Sequence, residues 1–214
     1  MSEPKIAQDE AAIVLVGAFN PAIFHPAWLA HHGLIPEHEA EAASVQIISN
    51  EVAVIVLKWA RIEVTRDRFS LRSNDETHFE PLRDLAVAIF QLLEHTPIKQ
   101  IGLNRDIQFE LPTEDEWHKI GHKLAPKDIW AKHLKEPGMA RLSIQSVRPD
   151  DFKGTVIVSV YPSGLKLVTI AVNDHYDLGD VNGRKASEII AEKWNSSIER
   201  AIELAKLIYV ETIQ

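Results

Sequence analysis

The sequence predicts an α+β protein in which antiparallel sheets are each covered by a long helix. Short β-branched runs follow one another closely across residues 45–72 and again across 140–172, with polar turn residues between them. A long amphipathic helical pattern follows each group of runs, at 79–93 and at 185–209. The order strand, helix, several strands, helix therefore occurs twice, once in residues 1–96 and once in residues 97–214.

These two α+β halves either share one continuous core or form two. No residue-level repeat accompanies the repeated order, so a duplicated unit is inferred from the order of elements alone. Saddle-like duplicated folds and helix-grip folds both have this order, and the sequence leaves the choice between them open. Because one fold hosts many activities, neither alternative would settle the function.

The first half begins with a strand at 11–19, "AAIVLVGAF", and a helix that starts at Pro26 and stops before Gly33 and Pro36. Four strands follow at 45–49, 52–59, 61–65 and 68–72, with tight turns between the members of each pair. The helix after them has an apolar stripe at three-four spacing, formed by Leu82, Leu85, Ala86, Ile89, Leu92 and Leu93. A further strand is predicted at 98–111.

The second half begins with a helix whose start is indicated by Thr113 and Glu116, which have capping-box spacing. Residues 126–134, "PKDIWAKHL", are predicted to continue or restart that helix. Strands follow at 140–147, 155–161 and 165–172. The closing helix runs from Lys185 to about Tyr209 and carries the apolar stripe Ile190, Trp194, Ile198, Ala201, Ala205 and Ile208.

Composition narrows the classes of partner. The chain carries 23 Lys and Arg against 31 Asp and Glu, a formal charge of −8, and this charge disfavours nucleic-acid binding. Cysteine is absent, which removes disulfides, zinc–cysteine sites and cysteine nucleophiles. The start "MSEPKIAQDE" is unlike a signal peptide, and the apolar runs are too short to span a bilayer. We therefore expect a cytoplasmic protein that does not enter the membrane.

His118 and His122 are one candidate metal pair, because they lie four residues apart on a predicted helix. The zinc-protease pattern needs a glutamate directly after the first histidine, and this chain has Lys119 there. The cation opposes a metal, and Gly121 weakens the helix. A structural or solvent-facing role is favoured, and no metal or other cofactor is assigned.

His25 and His32 are the second candidate pair, within a histidine-rich segment at 25–38. They lie seven residues apart, so a helix would place them near one face, where imidazoles could bind zinc or nickel. A surface helix and loop is the favoured interpretation here as well.

Two polar segments also raise the question of a site. "NDHYDLGDVNGR" at 173–184 has regularly spaced aspartates, but the oxygen positions of a calcium loop are not matched, so a solvated loop is predicted. Asn104, Arg105 and Asp106 interrupt a strand, which indicates a bulge or a buried ion pair. Glycine-rich phosphate-binding motifs and a G-x-S-x-G nucleophile elbow do not occur in the sequence.

Three stretches together are distinctive: "RIEVTRDRFSLRSNDETHFEPLRDLAVAIFQLL", "IKQIGLNRDIQFEL", and "AVNDHYDL" with the later "WNSSIERAIELAKLI". They resemble an uncharacterised, sporadically distributed bacterial protein family with an RFSL-like strand, a helix, a GLRY-N-like strand and an amphipathic C-terminal helix. The chain departs from that pattern with "HFEPL" before the helix and "GLNRD" in the later strand. The resemblance implies no established activity or catalytic residue, and it fits accessory systems such as phage defence.

The function expected from these observations is a non-catalytic protein-interaction or assembly subunit of a bacterial cytoplasmic complex, with a protein partner or further copies of itself. The alternatives are a small-molecule-binding module with a helix-grip pocket, and a histidine-dependent metal hydrolase.

Overall fold

A computed structural model describes residues 4–213, so the first three residues of the acidic start lie outside it. The described part contains nine strands and five α-helices. The strands are β1 (Lys5–Gly17), β2 (Ser44–Ile48), β3 (Val52–Val56), β4 (Arg61–Thr65), β5 (Arg68–Ser73), β6 (Pro97–Glu110), β7 (Leu142–Val147), β8 (Gly154–Gly164) and β9 (Leu167–Asn182). The helices are α1 (Pro26–His31), α2 (Glu37–Ala42), α3 (Phe79–Leu92), α4 (Glu114–Leu124) and α5 (Gly183–Ile213).

All nine strands belong to one antiparallel sheet with the order β2-β3-β4-β5-β1-β6-β9-β8-β7. The α+β prediction and the predicted antiparallel pairing are confirmed. The expectation of separate sheets is wrong, because β6 of the second half pairs with β1 of the first half over most of its length. Both long strands are buried on one face, and this burial is what makes their pairing favourable.

One face of the sheet is covered by α3 and α5. Strand alternation places Ala11, Ile13 and Leu15 of β1 on this covered face, where they are fully buried. The stripe predicted for α3 packs onto the same face, except that Leu92 is 43% exposed. The opposite, open face of the sheet has a shallow depression at its centre, whose floor is formed by alternate β1 residues such as Val14.

The hydrophobic core divides into unequal parts along α5. The larger part lies under α3 and the first half of α5, and it includes Trp194 and Tyr176. The smaller part lies under the last third of α5 and beside α4, and it includes Phe109, Ile120 and Tyr209. The end of the sheet near β7 therefore has much less buried hydrocarbon than the end near β2.

Residues 126–134 form successive turns rather than the predicted helix. Instead, the ammonium of Lys127 folds back and donates hydrogen bonds to Gly121 O, at 2.9 Å, and to Ala125 O. These carbonyls lie at the C-terminal end of α4, where a cation is favoured by the helix dipole. The start of α4 agrees with the prediction, because Thr113 Oγ1 accepts a hydrogen bond from the Glu116 N–H at 3.2 Å.

The predicted loop at 173–184 is also wrong. Residues 173–182 are the second half of β9, paired with both β6 and β8, and α5 begins directly after them at Gly183. The aspartates of this segment therefore alternate between the faces of a strand and do not surround a common point. The closing helix is longer than predicted, ending at Ile213.

Candidate functional site

The predicted pair His118 and His122 lies at the rim of a cleft beside α4. Their ring centroids are 6.3 Å apart, as expected for side chains four residues apart on one helix. The imidazole of His118 also contacts the ring of Trp117, with centroids 4.9 Å apart. Both histidines are exposed, so the cleft can present two ring N–H groups to a molecule from solvent.

This cleft has a volume of about 450 Å³ and lies between α4, residues 136–139 and the β8–β9 hairpin. We call it the α4 cleft. Its walls are mainly apolar, formed by Trp117, Ile120, Pro137, Met139, Pro162 and Val168. The polar groups at the cleft are the two histidines, Lys127 and Glu136. A mainly apolar concavity with a few polar groups is the usual form of a small-molecule site.

The other predicted pair is not brought together. His25 precedes α1 and caps it, because its Nδ1 accepts a hydrogen bond from the Ala27 N–H at 3.2 Å. His32 packs its ring against Trp28 after the end of the same helix, with centroids 5.1 Å apart. Within residues 4–213, no three histidine, aspartate or glutamate side chains converge in a way that could hold a metal ion.

The outer edge of β7 is the second candidate site. The strand has the sequence "LSIQSV" and pairs with β8 in regular register, and within residues 4–213 no strand lies on its other side. Ile144 is 59% exposed and Val147 is 80% exposed. The turns that precede β7 add exposed apolar side chains, namely Ile129, Trp130 and Leu134. Apolar exposure concentrated around a free strand edge is typical of an interaction surface.

A buried ionic network, which sequence reasoning missed, lies between the sheet and the middle of α5. The carboxylate of Asp174 is 1% exposed and accepts hydrogen bonds from Ser197 Oγ at 2.6 Å, from Arg200 Nη2 at 2.9 Å and from Arg148. The guanidinium carbon of Arg148 lies 3.5 Å from the centroid of the Tyr176 ring. Arg148 also pairs with Asp150 at 2.8 Å, so the two fully buried charges, Asp174 and Arg148, both have partners within the fold, and the network connects α5 to the sheet.

The buried ion pair predicted at Arg105 is confirmed. Its guanidinium donates to both carboxylate oxygens of Asp9, to Glu76 at 2.9 Å and to Ile198 O at 3.2 Å. Burial disfavours the charged form, but the hydrogen bonds and charges of Asp9 and Glu76 outweigh it and raise the pKa of Arg105. The side chain joins β1, β6 and α5, so its role is to hold these elements together.

On the open face, Asp106 and Glu10 lie directly opposite each other on β6 and β1. Burial raises the pKa of the Asp106 carboxyl, the charge of Glu10 raises it further, and Arg141 lowers it in part. Two carboxylates by themselves do not form a metal site, and the described residues supply no third ligand.

No protein-family model and no curated protein matches the chain. The resemblance to the uncharacterised bacterial family therefore stays a prediction. Among the described helices, none is long and apolar enough to cross a membrane.

Proposed function

We propose that the chain is a non-catalytic assembly subunit that pairs with a second copy of itself through the edge of β7. The observation that carries the proposal is the unprotected state of this edge. Proteins commonly blunt a terminal strand with a charge, a proline, a bulge or a covering segment. β7 contains no charged residue and no proline, its register with β8 is regular, and five of its six residues are exposed.

The apolar layer of the covered face continues to this edge. Val172 on β9, Val158 on β8 and Ile144 on β7 lie side by side in one row across the strands. Val172 is 2% exposed, Val158 is half-buried and Ile144 is 59% exposed, so burial decreases only where the sheet ends. A further strand beside β7 would bury Ile144 and complete the row.

A second copy fits the edge through a two-fold axis at Ile144. Antiparallel pairing centred there places Ile144 beside its own copy and Leu142 beside Ser146, and it keeps both covered faces on the same side. Arg141, the cation that directly precedes β7, does not oppose this pairing. The two copies of Arg141 would lie about 20 Å apart along the strands, well beyond the screening length of about 8 Å in physiological salt.

The fold itself supports the finer interpretation of a duplicated, saddle-like unit. In the first half, β1 is innermost and the chain returns to it through β2, β3, β4 and β5. In the second half, β6 is innermost and the chain returns through β7, β8 and β9. The resemblance to the bacterial family adds the expectation that the assembly belongs to a cytoplasmic accessory system, such as phage defence.

Native mass spectrometry and sedimentation of the untagged chain test the proposal. We expect twice the 24.1 kDa chain mass for the wild type. Ile144→Lys introduces a charge at the axis and should raise the dissociation constant at least tenfold. The matched control is Ile47→Lys on the opposite terminal strand, where the side chain is 45% exposed. A monomeric wild type at all concentrations, or equal dissociation by both variants, would overturn the second-copy partner.

A further inference from the structure

The α4 cleft is a cavity that is separate from the β7 edge. Its lining comes from α4, residues 136–139, β8 and β9, and it includes no residue of β7. An inference about the cleft therefore does not depend on the proposed assembly. We propose that the α4 cleft binds an apolar monocarboxylic acid, with the hydrocarbon between Met139 and Val168 and the carboxylate at His118 and His122.

The first argument is the glycine at position 121 in the wall of the cleft. Glycine is unfavourable inside a helix, and Gly121 lies three residues before the last residue of α4. A Cβ added there would meet nothing closer than the Cβ of Met139, at 3.9 Å, which is ordinary van der Waals contact. Packing therefore does not require glycine at this position. Gly121 and Met139 both line the cleft, so a side chain longer than alanine would extend past this contact into the cleft.

The second argument is the apolar lining. Ile120 is 3% exposed and Val168 is 2% exposed, so the floor of the cleft is continuous with the smaller part of the core. Trp117 is held in place because its indole N–H donates to Leu167 O at 3.1 Å. A fixed apolar wall of about this size favours a hydrocarbon chain or ring system, which gains by leaving water.

The third argument is charge. Residues 114–141 carry six Lys and Arg, at 119, 123, 127, 132, 135 and 141, against five acids, three of which stand together in the first turn of α4 at 114–116. Beyond that first turn the balance is six cations against Asp128 and Glu136, in a chain whose formal charge is −8. At the part of the cleft formed by the second half of α4, this local excess favours an anionic head group over a cationic one.

The histidines specify where that head group lies. With centroids 6.3 Å apart, the two imidazoles can each donate one N–H to the two oxygens of a single carboxylate. Glu136 belongs to the opposite wall and repels an anion, so the head group is directed toward the histidine side. Lys127 is already bonded to carbonyls at the end of α4 and contributes long-range charge only.

The test uses decanoate as the probe, with decyltrimethylammonium as the ligand of equal chain length and opposite charge. Titration calorimetry and tryptophan fluorescence of the full chain should show decanoate binding at least tenfold tighter. Binding of both ligands with equal affinity would show nonspecific adsorption and overturn the proposal, as would no binding of decanoate.

Two variants locate the site. Gly121→Leu fills the cleft with a better helix former, so the melting temperature should not fall while decanoate affinity drops at least tenfold. The double variant His118→Ala/His122→Ala should weaken decanoate about tenfold and leave decyltrimethylammonium unchanged. Unchanged decanoate binding in the Gly121→Leu protein, or an equal loss for both ligands in the histidine variant, would contradict the assignment.

Discussion

The two ends of the sheet carry terminal strands of similar length but different protection. At the first end, β2 has a bulge between Val45 and Ile47, and it directly follows α2, whose six residues include three glutamates. At the second end, β7 is regular and follows a segment with a positive excess. Neither terminal strand contains a charged residue. Apolar side chains are exposed on both strands, so exposure alone does not distinguish them. The difference lies in whether the backbone edge can accept another strand.

The two ends of the sheet also differ in the contacts that stabilise them on the covered face. The first end lies over the larger part of the core, with residues from the sheet, α1, α3 and α5. The second end has the smaller part of the core and, beside it, the network around Asp174 and Arg148. Where hydrocarbon is scarce, hydrogen-bonded charges connect α5 to the sheet. Because such charges are costly when left without partners, stability at the second end depends on single polar residues.

The largest expected effect comes from Asp174→Asn. The substitution leaves the fully buried side chain of Arg148 paired only with the partly exposed Asp150, so we expect a loss of about 3 kcal/mol, the lower end of the range for breaking a buried ion pair. Urea denaturation at neutral pH measures the loss in the free energy of unfolding. The matched control is Asp180→Asn, an exposed aspartate on the same strand, for which a change within about 0.5 kcal/mol is expected. Equal losses for both variants would contradict the structural role of the network.

A substitution at the first end of the sheet tests the same comparison between the two ends. Leu82→Ala removes a fully buried side chain of α3, with an expected loss of about 2–5 kcal/mol. Although the two global losses are similar, local hydrogen exchange should differ. Asp174→Asn should accelerate exchange in β8, β9 and the middle and last third of α5, whereas Leu82→Ala should accelerate it in α3. Identical exchange patterns would show that the ends unfold as one unit.

The next effect is the N-cap of α4. Thr113→Ala removes the hydrogen bond from the Glu116 N–H and should cost about 1 kcal/mol, the usual cost of losing an N-cap. The helix packs mainly through Ile120, so packing does little to replace the lost cap. Thr113→Ser keeps the hydroxyl and is the matched control. Exchange rates of the first amides of α4 report the effect directly. An unchanged rate in the alanine variant would show that packing, rather than the cap, holds this helix at the second end.

Features set by neighbours in sequence could be predicted, whereas features set by distant residues could not. The period-two pattern of β6 and the three-four stripe of α3 are local, and both elements agree with the prediction. The alternation of Val168, Ile170 and Val172 in fact continues through Asp174 to Tyr176. The sequence predicts a loop here, and the prediction fails because the partners of Asp174, Arg148 and Arg200, each lie 26 residues away along the chain. Only tertiary contact makes a buried carboxylate acceptable in a strand.

The same limit applies to the candidate sites. The spacing of His118 and His122 places them on one face of a helix, as predicted, but it does not reveal the cleft beside them. That cleft depends on the turns at 126–134, where the Lys127 ammonium replaces backbone donors at the end of α4. The free edge of β7 follows from the strand order, which no local pattern encodes.

The smallest predicted effect is at Asp106, on the open face between the two ends. Its pKa is raised in the folded protein by burial and by Glu10, so the folded state binds the proton more tightly than the unfolded state. Stability therefore falls as pH rises from the ordinary aspartate range through the raised pKa. Asp106→Asn removes this dependence, and relief of a cross-strand like-charge pair should stabilise the protein by about 0.5 kcal/mol at neutral pH. Paired urea titrations of both proteins at acid and neutral pH measure it.

Arg141→Gln tests whether the positive charge beside β7 influences the pKa of Asp106. Arg141 opposes the upward shift of the Asp106 pKa, and its guanidinium carbon is held 4.1 Å from the centroid of the Tyr161 ring. Without the cation the pKa of Asp106 should rise further, so Asp106→Asn should stabilise the Arg141→Gln protein more than the wild type. An equal gain in both backgrounds would show that Arg141 does not influence the pKa of Asp106. Burial and Glu10 would then be the only causes of the upward shift of that pKa.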